Sequence, residues 1–305
     1  MSTYLARIKA RTPLERFEYY ITERFEIRER RRMDLTREQW TSDPILKAYK
    51  FTNVRRAWDF TSEWLTREWY APYGEQKNAG FAAAVARFIC YVPSLEVIKF
   101  PQHGFTTWMR HAIDVLEDRA SMGLKVFTSA YMIAGGGSAG RSKVEWVFND
   151  IIHPAHDSGL LSEPWHGSID DLHNSLRALA GWGDFMTQEV VLDLQQTFVL
   201  SHKSVEEKRM YGWAGPGAIR GLNRLNERSH KTRLTRDEAQ VEMVSAYRCL
   251  LMREKIPRAL LKQFTLHDVE FSLCEFDKYE RVLWGQGTPK QKFVPREDSS
   301  LLELF

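Results

Sequence analysis

The sequence predicts a mainly α-helical protein folded as two lobes. Three observations lead there. Helix-start signals recur along the chain, apolar residues repeat at three-to-four spacing between them, and only one short segment has the β-branched and aromatic density of a strand. At 305 residues the chain can hold one large domain or two coupled lobes around a substantial core.

Thr12-Pro13-Leu14-Glu15 is a helix start, with Thr as the cap, Pro at the first helical position and Glu three residues after the cap. The helix it opens ends in a basic run, Arg28, Arg30, Arg31 and Arg32. Ser42-Asp43-Pro44 starts the next helical stretch in the same way. From Val54 the residues Val54, Ala57, Trp58, Thr61, Leu65 and Trp69 recur at helical spacing, and Asn53, Arg56, Asp59 and Glu63 form a polar stripe on another face. Further helices are expected over 82–91, 106–120, 143–152, 169–179, 185–198, 218–228, 236–253 and 269–283. Residues 125–133 are expected to be a strand or an extended piece. The Pro- and Gly-containing stretch 153–167 is the expected seam between the lobes. No repeat of fixed period and no low-complexity linker is present.

Composition narrows the function classes. The chain has 10 Trp, 17 Phe and 11 Tyr, with 43 basic residues nearly matched by 40 acidic ones for a formal charge of +3. Binding to a polyanion therefore requires positive charge clustered locally. No stretch approaches the ~20 apolar residues of a membrane span, and the N-terminus lacks the apolar core of a signal peptide. Cys90, Cys249 and Cys274 stand far apart with no CxxC pair, which argues against a disulfide framework or a zinc site and for a reducing, cytoplasmic compartment. The histidines show no HxxxH or HExxH spacing, so no metal site is expected.

Four local patterns carry chemistry. Gly135-Gly136-Gly137-Ser138-Ala139-Gly140-Arg141-Ser142 approaches a phosphate-binding P-loop, but Arg141 stands where a compact Lys is needed, so a plain glycine loop is the expectation. Leu179-Ala180-Gly181-Trp182-Gly183-Asp184 has the shape of a helix-hairpin-helix turn within an element spanning 169–198. Its glycines Gly181 and Gly183 permit a tight turn from which amides can meet a DNA phosphate. An ordinary Gly-terminated helix fits the same residues, and Asp184 would repel phosphate. Gly215-Pro216-Gly217 opens onto a helix bearing Arg220, Arg224 and Arg228 at four-residue spacing, which suits either an anion cradle or a solvated arginine face. In the last helix Glu275 and Lys278 lie together off the apolar stripe and can pair, while Cys274 reads as a small core residue.

Taken in order, these segments resemble a known family. Trp40-Thr41-Ser42-Asp43-Pro44-Ile45-Leu46, Phe51-Thr52-Asn53-Val54-Arg55-Arg56 with Asp59 and Thr61, Phe127-Thr128-Ser129-Ala130-Tyr131-Met132-Ile133, the LAGWGDF hairpin, GPGAIRGLNRL and Leu273-Cys274-Glu275-Phe276-Asp277-Lys278-Tyr279 are similar to blocks of the α-glutamyl/putrescinyl thymine pyrophosphorylases, or amino acid:DNA transferases. These share a helical domain with phage 5-hydroxymethyluracil DNA kinases. The resemblance runs from about residue 25 to residue 285. Ala57 and Ala218 depart from it, standing where relatives usually have Glu and Ser.

The resemblance implies a two-lobed helical fold similar to helix-hairpin-helix DNA glycosylases, and a phage enzyme of DNA hypermodification working in the cytoplasm of the infected bacterial host. Its substrate would be double-stranded DNA carrying 5-pyrophosphomethyluracil, its co-substrate an amino acid or polyamine, and a DNA kinase a possible partner; no membrane is involved. An amine replaces pyrophosphate, with no cofactor required and a divalent metal left open. The lack of a credible P-loop favours this transferase over a kinase, whose helical domain is joined to a separate phosphotransfer domain. A glycosylase-like base-processing enzyme is one alternative, disfavoured because 199–206 has no Asp and Asp193 follows Gly183 by only ten residues. A non-catalytic DNA-binding partner of the kinase is the other. The chemistry needs cationic donors on the leaving pyrophosphate and a carboxylate near the attacking amine. Asp59, Glu275, Lys278 and Arg56 are the expected catalytic residues. Arg30, Arg31, Trp40, Thr41, Asp43, Asn53, Tyr131, Asp193, Asp277 and Arg281 are the expected substrate-binding set. Gly181, Gly183, Gly215, Gly217, Arg220 and Arg224 are expected to meet DNA phosphates.

Overall fold

A computed structural model of the chain describes residues 2–33, 35–102, 104–129 and 140–293. In chain order its helices are α1 (Ser2–Lys9), α2 (Pro13–Arg32), α3 (Arg37–Trp40), α4 (Pro44–Ala48), α5 (Phe60–Leu65), α6 (Ala71–Tyr73), α7 (Ala79–Ile89), α8 (Val92–Ile98), α9 (Phe105–Ser121), α10 (Lys143–Glu145), α11 (His153–Asp157), α12 (Ile169–Arg177), α13 (Asp184–Leu194), α14 (Val205–Arg209), α15 (Pro216–Leu225), α16 (Arg236–Leu251), α17 (Arg258–Leu261) and α18 (Leu266–Leu283). Thr66–Tyr70 and Trp146–Ile152 are π-helical. No strand forms among the described residues, and a single antiparallel bridge joins Tyr49 to Lys292. The expected strand over 125–133 is therefore not formed at 125–129, and its remainder lies outside the described residues.

The chain divides into two units, Met1–Phe60 with Arg209–Phe305, and Thr61–Lys208. The expected seam, 153–167, falls inside the second unit and begins with α11. The first unit is built from both ends of the chain because α18 returns to pack on α2. Phe17 and Tyr20 of α2 meet Phe276 and Tyr279 of α18 at ring-centroid distances of 5.0 Å (Phe17–Phe276) and 5.6 Å (Tyr20–Tyr279), and all four are buried. Each such side chain removed from water contributes roughly 1.5–3 kcal/mol. The capping signals act as read: Thr12 and Glu15 exchange the hydrogen bonds of a capping box, and Pro13 begins the helix.

In the second unit α7, AGFAAAVARFI, is buried at every position, as a helix apolar on all sides must be. It carries one charge, Arg87. That guanidinium grips Asp193 of α13 through Nε (2.5 Å) and Nη2 (2.7 Å), and Tyr70 donates its hydroxyl to the same carboxylate at 2.7 Å.

The helix expected to begin at Val54 does not form as one piece. Residues 51–55 form no helix and bend at 54–55, Arg56–Trp58 make one 3-10 turn, and α5 starts only at Phe60. Polar groups from α2 and α18 hold the backbone of 51–56 open. Glu63, the fourth member of the expected stripe, belongs to the second unit.

Candidate functional site

The segment 51–59 is a strap across the first unit, fixed from two sides. Arg24 of α2, buried, donates from Nη2 to the carbonyls of Phe51 (3.1 Å) and Thr52 (2.9 Å). From α18, Glu275 accepts the Thr52 amide at 3.3 Å, and Asp268 accepts the Arg56 amide at 3.2 Å. Asp268 also caps its own helix and meets Arg55 Nε at 3.4 Å. Burial nonetheless raises its pKa above the usual Asp value, because desolvation outweighs these partners. Within the strap, Asn53 donates to the Trp58 carbonyl (3.0 Å) and to Asp59 (3.3 Å).

Sequence-distant residues thus meet. Asn53, Arg56 and Asp59 lie on the strap, and Glu275 reaches that strap at Thr52 while pairing with Lys278. Glu275 is buried, whereas the Lys278 side chain keeps about a third of its surface, 34%, open to solvent. The arrangement offers a fixed carboxylate beside a cation that a substrate can reach. Cys274, next to Glu275, has its thiol pushed up to about 12, chiefly by burial, and is a poor nucleophile.

On the other side of α18, Asp277 is fully buried and receives Arg220 (2.9 Å), Arg224 (2.7 Å) and Arg281 (3.4 Å). α15 and α18 run side by side, and the reason is glycine. A Cβ at Gly217 would lie 2.2 Å from Cys274 Sγ, and one at Gly221 would lie 2.4 Å from the Leu273 carbonyl oxygen. Gly215 donates its amide to Glu270 at 3.2 Å. The N-terminus of α15, read as an anion cradle, therefore already faces a carboxylate that a phosphate would have to displace.

The Trp40–Leu46 block has a mainly architectural logic. Asp43 is fully buried; its Oδ1 caps α4 at the Ile45 (2.7 Å) and Leu46 (3.2 Å) amides, and its Oδ2 accepts the hydroxyls of Tyr19 (2.8 Å) and Tyr279 (2.7 Å). Burial and this carboxylate raise both tyrosine pKa values. Thr41 donates to Glu23 at 2.5 Å and accepts the Asp43 amide. Arg30 holds the Trp40 carbonyl at 2.8 Å and meets Glu23 at 3.3 Å. Arg31, Trp40 and Thr41 line a cleft with Arg24 and Arg37.

Other expected site residues lie elsewhere. Asp193 is in the second unit, with both oxygens engaged by Arg87. Gly181, at φ +83°, makes the hairpin turn between α12 and α13, and Gly183 caps α13. Trp182 anchors that hairpin through the Ile151 carbonyl at 3.1 Å, and Asp184 pairs with Arg177 at 2.6 Å. Tyr131 and most of the glycine loop lie outside the described residues. Arg24, Asp268 and Arg37 were missed by sequence reasoning. Arg24 could have been found: it interrupts the apolar face formed by Phe17, Tyr20, Ile21 and Phe25, and a charge on such a face needs a partner.

The described residues hold no group of three or more His, Cys, Asp or Glu placed to bind a metal ion, and no helix long and apolar enough to cross a membrane. No curated protein and no solved structure matches the chain. The family model of the helical domain of 5-hmdU DNA kinase matches residues 12–288. The match supports the kinase side of the sequence resemblance and not a distinct thymine pyrophosphorylase. The chain therefore belongs to the 5-hmdU DNA kinase helical-domain family.

Proposed function

We propose that the first unit engages 5-hydroxymethyluracil in DNA and presents the base for modification at its 5-substituent. The observation that carries this reading is the Glu275 contact with the Thr52 amide, which sets a buried carboxylate and the part-exposed Lys278 against the strap bearing Asn53 and Asp59. A hydroxymethyl group needs an acceptor for its O–H, which Glu275 supplies. Lys278 suits a phosphate, as a point charge. The base must leave the helix stack to be reached, at a cost of a few kcal/mol. Phosphoryl transfer would then fall to a separate catalytic centre, and this chain would bind and orient.

A second reading makes the chain itself a transferase on 5-pyrophosphomethyluracil. The same carboxylate–ammonium pair favours it. An amine attacks the 5-methylene carbon, the C–N bond forms as the C–O bond breaks, and pyrophosphate leaves with the electron pair. Glu275 takes the amine proton, and Lys278 meets the leaving oxygens.

The test is equilibrium binding of the full chain to two duplexes differing only in one 5-hydroxymethyluracil or thymine. The modified duplex should bind about tenfold more tightly, the value of one hydrogen bond to a charged group, and Glu275→Gln should erase most of that preference. Equal affinity for both duplexes would refute the reading. For the second reading, 5-pyrophosphomethyluracil DNA is incubated with amino acids and amines, and the released nucleosides are weighed by mass spectrometry. An amine adduct that Glu275→Ala and Lys278→Ala abolish supports transfer, and its absence from wild type rejects it.

A further inference from the structure

The arginines that meet Asp277 are not equivalent. Arg224 is turned inward, with its side chain 9% exposed, and spends a second donor on Gln286 at 2.9 Å. Arg220 and Arg281 keep 41% and 34% of their side chains in water. Among the described residues Arg220 donates through Nε alone, so the N–H groups of its terminal nitrogens stay open. Arg281 stands 3.4 Å from the same carboxylate, and its buried Nε has no hydrogen-bond partner. Both arginines approach one oxygen, Asp277 Oδ2, which sets the two guanidiniums side by side. A single carboxylate cannot neutralise three guanidiniums, and the excess charge reaches solvent at Arg220 and Arg281.

Lys278 continues this ridge. It lies three residues before Arg281 on α18, about 4.5 Å back along the helix axis, and is 34% exposed. Gly217 of α15 packs on Cys274, one turn before Lys278, and Arg220 follows three residues later in α15. The thiol of Cys274, raised chiefly by burial, is lowered by the charges of both Lys278 and Arg220, which places the two cations about it. The carboxylates at hand are engaged: Glu275 holds Lys278 and the Thr52 amide, and Glu270 holds the Gly215 amide. A guanidinium fork matches the paired oxygens of a phosphate. Two forks already fixed on a buried carboxylate have little side-chain freedom left to lose on binding.

We propose that Arg220 and Arg281 clamp one backbone phosphate of the DNA strand that carries the modified base, at the edge of the Glu275–Lys278 site. Such a contact fixes the register of the strand and reads no sequence. The phosphate meets side chains on the α15–α18 ridge, and not the N-terminus of α15, where Glu270 already occupies the Gly215 amide. Arg224 supports the clamp from inside as a partner of Asp277. The clamp deepens the reading given under Proposed function and rests on it for the choice of DNA as the ligand.

The test is binding of the full chain to the thymine and 5-hydroxymethyluracil duplexes over a series of salt concentrations. Arg220→Gln and Arg281→Gln should each weaken both duplexes about tenfold and leave the ratio between them unchanged. Because the two share one phosphate, the double variant should lose less than the product of the single losses. Its slope of log affinity against log salt should fall by about one. Arg220→Lys keeps the charge without the fork, so it should restore the slope and leave most of the affinity loss. Arg220→Gln leaves Asp277 both Arg224 and Arg281, and that variant carries the test if Arg281→Gln melts early. Neutral methylphosphonate linkages, placed one at a time around the modified base, locate the contact. One linkage should weaken wild type about tenfold and leave the double variant unaffected. Losses spread evenly over the linkages, or folded variants with unchanged affinity and slope, would overturn the clamp. A clamp that fails leaves the preference for hydroxymethyluracil untouched, and a chain without that preference still shows the change of slope.

Discussion

Asp277→Ala should destabilise the protein by about 3–5 kcal/mol, the usual cost of removing one partner from a buried ion pair. The carboxylate is fully buried, accepts hydrogen bonds from Arg220 and Arg224, and forms an ion pair with Arg281. Without it Arg224, whose side chain is only 9% exposed, is left beside two like charges with little water to screen them. Arg220 and Arg281 keep 41% and 34% exposure, and their share is discounted for solvent screening. For a chain of this size the loss corresponds to a melting temperature lower by roughly 6–20 °C. Asp277→Asn keeps the volume and should lose less. Thermal melting at low and high salt reads both effects, and a fall below about 1 kcal/mol would mean that the three guanidiniums are held by something other than Asp277. The same variant bears on the arginines as DNA contacts. Freed from Asp277, they should strengthen sequence-independent DNA binding in the fraction that stays folded, with a steeper salt dependence.

Gly221→Ala should cost about 1–3 kcal/mol despite the roughly 1 kcal/mol that alanine gains over glycine in a helix. The added Cβ would stand 2.4 Å from the Leu273 carbonyl oxygen and 2.8 Å from its carbon, and backbone cannot yield as a side-chain tip can. α15 would have to move off α18. Gly217→Ala meets a different obstacle, since the nearest atom is Cys274 Sγ at 2.2 Å. Adding Cys274→Ala removes that atom and leaves Cβ at 3.0 Å as the nearest contact, with Cα at 3.5 Å, so the double variant should recover part of the loss. Gly221→Ala should gain nothing from the same second change. Denaturant unfolding of the four variants separates the two cases. Rescue of both glycine variants alike, or of neither, would mean that the helix pair adjusts as a unit.

These results show which parts of the molecule were legible in the sequence. The helix starts at Thr12 and Asp43 were, because a cap and the turn it opens lie within four residues of each other. The strap was not. Apolar spacing from Val54 reads as a helix, yet the groups that tie down the backbone of residues 51–56 lie elsewhere in the chain: Arg24 is 28 residues from Thr52, and Glu275 is 223 away. Periodicity carries no information about such partners. Glycines 217 and 221 posed the same difficulty, since a glycine in the first turns of a helix looks alike whether it faces a phosphate or another helix. The kinship to the helical domain of 5-hmdU DNA kinase was legible, while the thymine pyrophosphorylase assignment and its chemistry were not, for a related reason. Asp43 serves the scaffold, as a cap beneath two tyrosines, so the likeness it carries is a likeness of fold. The candidate site was half legible: Glu275 and Lys278 pair as their spacing suggested, while Arg24, Arg37 and Asp268 gained their setting only from tertiary structure.

The central claim is that the strap and α18 form one site for one base. A double-mutant cycle on the affinity for 5-hydroxymethyluracil duplex, with Asn53→Ala, Lys278→Ala and the double variant, tests it most directly. One shared site predicts non-additive losses, with a coupling of about 0.5–3 kcal/mol. Losses that add to within about 0.5 kcal/mol, in variants that melt like wild type, would contradict it.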